Sequence, residues 1–183
     1  MTTANIITLV RIAMIPVFLV FGTMGQEYAL VSAIIFTVAS LTDSLDGYIA
    51  RHYNQVTDFG KLVDPLADKL LVLSALLIFV SNGIMPVWVA TVIVGREFAI
   101  SGLRMIAASK GIVIAAGKSG KVKTFVQCLM TILLLVLGTK IIVITSWLSV
   151  QDIAVYLMLI VGVYSGVEYF ITNRNVLKGS MGK

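Results

Sequence analysis

The chain has 183 residues, of which 58% are hydrophobic and only 13% charged, with a mean hydropathy of +1.00. That composition excludes an ordinary soluble globular domain, and the length leaves room for about six membrane-spanning helices and for no separate soluble domain. The formal charge of +5 does not point to nucleic acid, because the basic residues are interleaved with apolar runs and lack an aromatic stacking pattern.

Apolar runs punctuated by Gly, Pro and charge clusters predict an all-α membrane protein with six transmembrane helices, near residues 6–25, 29–51, 61–81, 84–108, 121–138 and 150–172. Residues 1–183 are read as a single integral-membrane domain. The N-terminus carries no basic cluster and Arg11 interrupts the first apolar run, so a cleaved signal is not expected. Asn5, Thr8 and Arg11 recur at intervals of three in this first span. The stripe reads either as an interfacial helix start with a snorkelling arginine or as a surface that contacts substrate. Connections at 22–28, 81–86 and 138–149 hold only Lys140 as a cation, whereas the opposite ends hold Arg51, Lys61, Lys110, Lys118, Lys121, Lys123, Arg174, Lys178 and Lys183. The positive-inside rule makes that basic side cytoplasmic, with both termini inside, in a multi-pass protein of the cell membrane. The lone Cys128 is read as a packed core residue, and neither it nor the lone His52 suggests a thiolate or imidazole metal site.

Four aspartates fall at the cytoplasmic end of the second span and the start of the third. Asp43 and Asp46 are three apart and Asp64 and Asp68 four apart, so each pair shares one helix face. A carboxylate in a membrane helix costs about 2.5–3.5 kcal/mol, so four together call for a compensating charge. Two divalent cations would supply it. Oxygen ligands on helices suit Mg²⁺ or Mn²⁺ rather than zinc. Gly47 lies four residues after Asp43 and Gly60 four before Asp64; each either admits a ligand or lets helices pack closely. Ala50 reads the same way, Arg51 is placed to hold phosphate oxygens, and Asp58 is expected in a solvated connection. An EF-hand fails because the twelfth position from Asp43 is Asn54, and no P-loop is present. Intramembrane prenyltransferases also hold magnesium-diphosphate on Asp-rich helices, but need more spans than this chain provides.

The pattern Asp-x₂-Asp-Gly-x₂-Ala-Arg-x₈-Gly-x₃-Asp-x₃-Asp is filled by Asp43, Asp46, Gly47, Ala50, Arg51, Gly60, Asp64 and Asp68. It resembles, without departure, the signature of the CDP-alcohol phosphotransferase family. The resemblance implies a six-helix membrane fold, a homodimer, and two metal ions bound by Asp43, Asp46, Asp64 and Asp68. It further implies a CDP-linked lipid lying across them against Gly47 and Ala50, and Asp68 as the general base that deprotonates an alcohol. Asn5, Thr8, Arg51 and Gly60 complete the expected CDP-lipid site.

The acceptor is read from cations outside the signature. Arg96 and Arg104 are eight apart, about 80° around a helix, and can face one cavity. With Lys118, Lys121 and Lys123 in the following loop, they make more positive charge than orientation alone requires, which suits a phosphate-bearing acceptor. For Lys110 and Lys118, attraction to anionic membrane lipids is the competing reading. These segments, with Asn5, Thr8 and Arg11, also resemble the branch of the family that joins CDP-diacylglycerol to glycerol 3-phosphate. Rivals are a sister enzyme using inositol phosphate, serine or phosphatidylglycerol, and a divalent-cation transporter. Glu97 is expected to pair with an arginine, and Glu168 to be buried by pairing.

Overall fold

The computed structural model describes residues 3–52, 58–112, 114, 115, 117–138, 143–145 and 148–174, with the backbone alone described at 3, 4, 44–52, 58, 59, 61, 62, 143–145 and 148. Among them are six α-helices: α1 Thr3–Thr23, α2 Ala29–His52, α3 Asp58–Ser81, α4 Val87–Ser109, α5 Lys118–Leu137 and α6 Val150–Thr172. A one-turn 3₁₀ helix, Gln26–Tyr28, precedes α2. The six predicted spans match these helices to within about three residues, the usual uncertainty of helix ends.

Three segments are long and apolar enough to cross a membrane: Asn5–Thr23, Lys118–Leu137 and Val150–Thr172. The other three helices are no shorter, but α2 and α3 hold the aspartates, and α4 holds Arg96, Glu97 and Arg104. The same charged residues that suggest a site lower the apolar character of the helices that carry them.

Two units make up the chain. The first comprises residues 1–85 and 131–142. Within it α1 packs against both α2 and α3. Small buried residues, Ala33 and Ala39 on α2 and Ala67 and Ala75 on α3, let backbones approach closely. Phe18 and Phe36 fill the space between α1 and α2, with ring centroids 5.7 Å apart. Two threonine hydroxyls on α2 are satisfied within the helix: Thr37 and Thr42 donate to the carbonyls of Ala33 and Ala39, each at 2.7 Å. Helix α3 ends where Gly83 turns to φ 70°, and Ile84 N–H reaches back to the Phe79 carbonyl at 2.9 Å. This closure needs a residue without Cβ penalty at the left-handed position.

The second unit comprises residues 86–130 and 143–183. Here α4 packs on α6. The two run parallel, since Trp88 meets Tyr156, Arg96 meets Ser165 and Arg104 meets Tyr169. Ile100, Leu103 and Tyr169 form a buried cluster, with Ile114 and Phe170 against it. Helix α6 begins with a capping box: Ser149 Oγ accepts from Asp152 N–H at 3.1 Å, and the Asp152 carboxylate accepts from Ser149 N–H at 3.0 Å.

Several expectations need correction. Asp58 is the first residue of α3 rather than part of a connection. Lys118, Lys121 and Lys123 lie on α5, not in a loop, because the helix starts at Lys118 despite the glycines around it. A short antiparallel pairing of Val143–Thr145 with Leu148–Ser149, not foreseen in the sequence, precedes α6. Glu168 is exposed rather than buried, and no ion pair holds it among the described residues. Cys128 is part-buried. Lys140 lies outside the described residues, as does the side chain of His52.

Candidate active site

Asp43 and Asp64 of the first unit meet the same end of α1. Helix α1 runs antiparallel to α2, so Arg11 meets Asp43 while Phe18 meets Phe36. It runs parallel to α3, so Thr8 meets Asp64 near its start while Gly22 meets Asn82 near its end. Carboxylates separated by some twenty residues of chain therefore flank the same two turns of α1. Asp43 interacts electrostatically with both Asp64 and Asp68.

The stripe of Asn5, Thr8 and Arg11 is buried, at 7%, 1% and 0% exposure. Arg11 does not snorkel: its guanidinium is fully covered and ion-paired with Asp43, whose side chain is 40% exposed. The Thr8 hydroxyl donates to Asp64 Oδ1 at 2.7 Å. Two members of the stripe, Thr8 and Arg11, contact the carboxylates of Asp64 and Asp43, so Arg11 is not the snorkelling residue of an interfacial helix start. Their three-residue spacing along α1 is the signal that placed them on one face.

Asp64 is half-buried and Asp68 exposed. Among the described residues no three acidic, histidine or cysteine side chains are grouped closely enough to hold one ion. Asp43 is directed to Arg11 and Asp64 to Thr8. The donor set is nonetheless all carboxylate oxygen, which in chemical type suits Mg²⁺ or Mn²⁺. Asp46, Gly47, Ala50 and Arg51 lie in the last turns of α2, and their side chains are outside the described residues. Gly60 is buried in the first turn of α3.

In the second unit the five expected cations divide into two groups. Arg96 and Lys123 are largely buried, at 13% and 8% side-chain exposure, and both pair with Glu97, Arg96 at 2.8 Å. Arg96 also donates to Ser165 Oγ at 2.6 Å. A Cβ at the neighbouring Gly166 would stand 3.0 Å from Arg96 Cγ, so the guanidinium stem lies directly on α6. Arg104, Lys118 and Lys121 are exposed. Arg104 Nε donates to the Tyr169 hydroxyl at 3.0 Å, and its guanidinium carbon lies 5.4 Å from the ring centroid. The paired terminal nitrogens of Arg104 remain suited to bidentate recognition of a phosphate. Reading cations alone missed Ser165 and Tyr169, whose spacing of four on α6 puts them on one face.

A profile of the CDP-alcohol phosphatidyltransferase family matches residues 1–167. The chain is 42% identical over 189 aligned positions to a CDP-diacylglycerol–glycerol-3-phosphate 3-phosphatidyltransferase of Bacillus subtilis, covering 96% of this chain and 97% of that one. It is 36% identical over 167 positions to the protein of the same name in Rickettsia bellii, covering 91% and 92%. A probable phosphatidylglycerophosphate synthase of Mycobacterium tuberculosis is 45% identical over 128 positions, covering 68% of this chain and 61% of its own length.

Proposed function

This chain belongs to the CDP-alcohol phosphatidyltransferase family, and we propose that it transfers the phosphatidyl group of CDP-diacylglycerol to glycerol 3-phosphate, giving phosphatidylglycerophosphate and CMP. It is an enzyme of phospholipid synthesis and a membrane protein. The observation that carries the mechanism is the convergence of α2 and α3 carboxylates on α1, with Arg11 on Asp43 and Thr8 on Asp64.

The hydroxyl oxygen of the acceptor forms a bond to the lipid-side phosphorus, and the bond from that phosphorus to the oxygen shared with CMP breaks. Asp68 takes the hydroxyl proton; its exposure leaves it open to an incoming alcohol. Asp43, Asp46, Asp64 and Asp68 would hold two divalent ions, Mg²⁺ or Mn²⁺, which supply positive charge against the diphosphate and the departing CMP. Thr8 and Arg11 hold Asp64 and Asp43 in place, which spares the site the cost of ordering them during the reaction. Gly47, Ala50, Gly60, Asn5 and Arg51 complete the CDP-lipid site. Arg104, Lys118 and Lys121 receive the acceptor phosphate, while Arg96 and Lys123 support that region through Glu97.

All six helices span the cell membrane in this reading, with the aspartates and both termini toward the cytoplasm and two copies forming a homodimer. The lengths of α2, α3 and α4, at 24, 24 and 23 residues, support the spans.

The test is CMP release by the purified protein in detergent with CDP-diacylglycerol, with and without glycerol 3-phosphate, before and after chelation of divalent metal. Release is expected only with both metal and glycerol 3-phosphate. Release that instead requires serine or inositol phosphate would assign another acceptor. Metal uptake into liposomes without any CMP release would replace the transferase by a transporter.

A further inference from the structure

At the end of α1 away from Asp43 and Asp64, the first unit holds an open cavity of about 60 Å³. It lies between the last turn of α1, the first turn of α2 and the ends of α3 and α5. Gly22 in its wall is about 16 Å along α1 from Arg11. The deep wall is apolar and buried, formed by Ile78, Phe79, Leu134 and Leu135. One polar group stands among them. Ser32 is 1% exposed, and its Oγ has no hydrogen-bond partner among the described residues. Thr37 and Thr42 on the same helix bond back to carbonyls one turn earlier; the Ser32 hydroxyl does not. A Cβ at Gly22 would stand 3.3 Å from that oxygen and collide with Ile78, so the glycine keeps the space beside the hydroxyl open. Gln26 and Asn82 are exposed at the rim, where Asn82 Nδ2 donates to the Gly22 carbonyl at 3.4 Å.

The occupant has to offer one hydroxyl with carbon around it. The volume is several times the roughly 10–15 Å³ that one water needs, but a buried water takes two to four polar partners, and the deep wall offers one. A phosphate or a metal ion would meet no opposite charge among the lining residues and would be costly to bury there. The hydroxymethyl end of an uncharged lipid meets both demands: its oxygen exchanges a hydrogen bond with Ser32, and its carbons lie on the apolar wall. The cavity opens at helix ends, where the glyceryl region of lipids surrounds a spanning chain. Val20, Met24 and Leu30, close in sequence to the lining residues, are exposed and give acyl chains an apolar surface.

We infer that this cavity binds a neutral acylglycerol through its free hydroxyl, with Ser32 as the recognising group, at a lipid site separate from the aspartates.

The experiment melts the purified full-length protein and Ser32→Ala in one detergent with rising mole fractions of 1,2-dioctanoylglycerol or of propane-1,2-diyl dioctanoate, which has the same acyl chains and no hydroxyl. The apparent affinity drawn from the Tm shift should be about tenfold higher for the hydroxyl lipid in the unmodified protein, and equal within about twofold in Ser32→Ala. Without lipid, Ser32→Ala should melt no lower than the unmodified protein, because the change removes an unpaired buried hydroxyl. No preference in the unmodified protein, or a preference that survives in Ser32→Ala, overturns the inference. So does a lipid-free variant that melts more than about 3 °C lower, which would give the hydroxyl an internal partner. Dioctanoylphosphatidylglycerol should bind more weakly than dioctanoylglycerol; equal or tighter binding of it overturns the choice of a neutral lipid.

Discussion

Loss of activity on replacing Asp43 would ordinarily be ascribed to a lost metal ligand, but the structure predicts that much of the damage is to the fold. Asp43→Ala takes from a fully covered guanidinium, Arg11 at 0% exposure, a carboxylate that it pairs with. Breaking a buried pair in this way costs about 3–5 kcal/mol. Arg11→Met leaves behind an Asp43 side chain that is 40% exposed and can be hydrated. Its cost is mainly the packing of the arginine stem, about 1–2 kcal/mol. At about 2–4 °C per kcal/mol for a chain of this size, Asp43→Ala should lower Tm by roughly 6–20 °C and Arg11→Met by roughly 2–8 °C. The double variant Arg11→Met/Asp43→Ala should recover part of the larger loss, since the pair is coupled by about 0.5–3 kcal/mol. Intrinsic-fluorescence melts in one detergent at one scan rate would measure all three. The reasoning fails if Asp43→Ala melts no lower than Arg11→Met, or if the double variant melts lower than either single one.

Asp68→Asn should cut turnover by at least about a hundredfold while leaving Tm nearly unchanged and much of the CDP-lipid binding by calorimetry intact, because in the proposed mechanism the exposed carboxyl takes the acceptor proton. Retained turnover would remove the general-base assignment. Arg104→Lys keeps the charge but loses the fork and its geometry on Tyr169, so the KM for glycerol 3-phosphate should rise about tenfold with kcat little altered; an unchanged KM would place the phosphate elsewhere. Glu97→Gln leaves the largely buried Arg96 and Lys123 without their shared anion and should cost about 2–3 kcal/mol, or roughly 4–12 °C in Tm. A melt within about 1 °C of the unmodified protein would show that other contacts carry those cations.

Helix positions were legible because a run long enough to span a membrane is the strongest pattern a sequence can carry, and Gly83 and Gly111, which end two helices at φ 70° and 71°, punctuate it. The aspartate pairs were legible for the same reason of period. Their partners were not. A helix of mean apolar character permits Arg11 to face lipid headgroups or a carboxylate equally well, and only the packing of α1 on α2 decides between them. Lys123 was read with Lys118 and Lys121 as a candidate for the acceptor phosphate, yet its place on α5 buries it against Glu97 while Lys118 and Lys121 stay exposed. Pairings between distant elements, such as Arg96 with Ser165, leave no mark in local periodicity.

Arg11 also changes the charge balance in which a diphosphate would bind. Four aspartates and two divalent ions by themselves are neutral, and a neutral site gives a doubly charged diphosphate diester little long-range attraction. Arg11, held on Asp43, and Arg51, which the sequence sets at the end of α2, leave such a site with an excess of two positive charges. That excess matches the diphosphate and disappears once it is bound. In the proposed site, an arginine buried against Asp43 would therefore not compete with a metal; it would be the part of the site's charge left for substrate, fixed in position by the packing of α1.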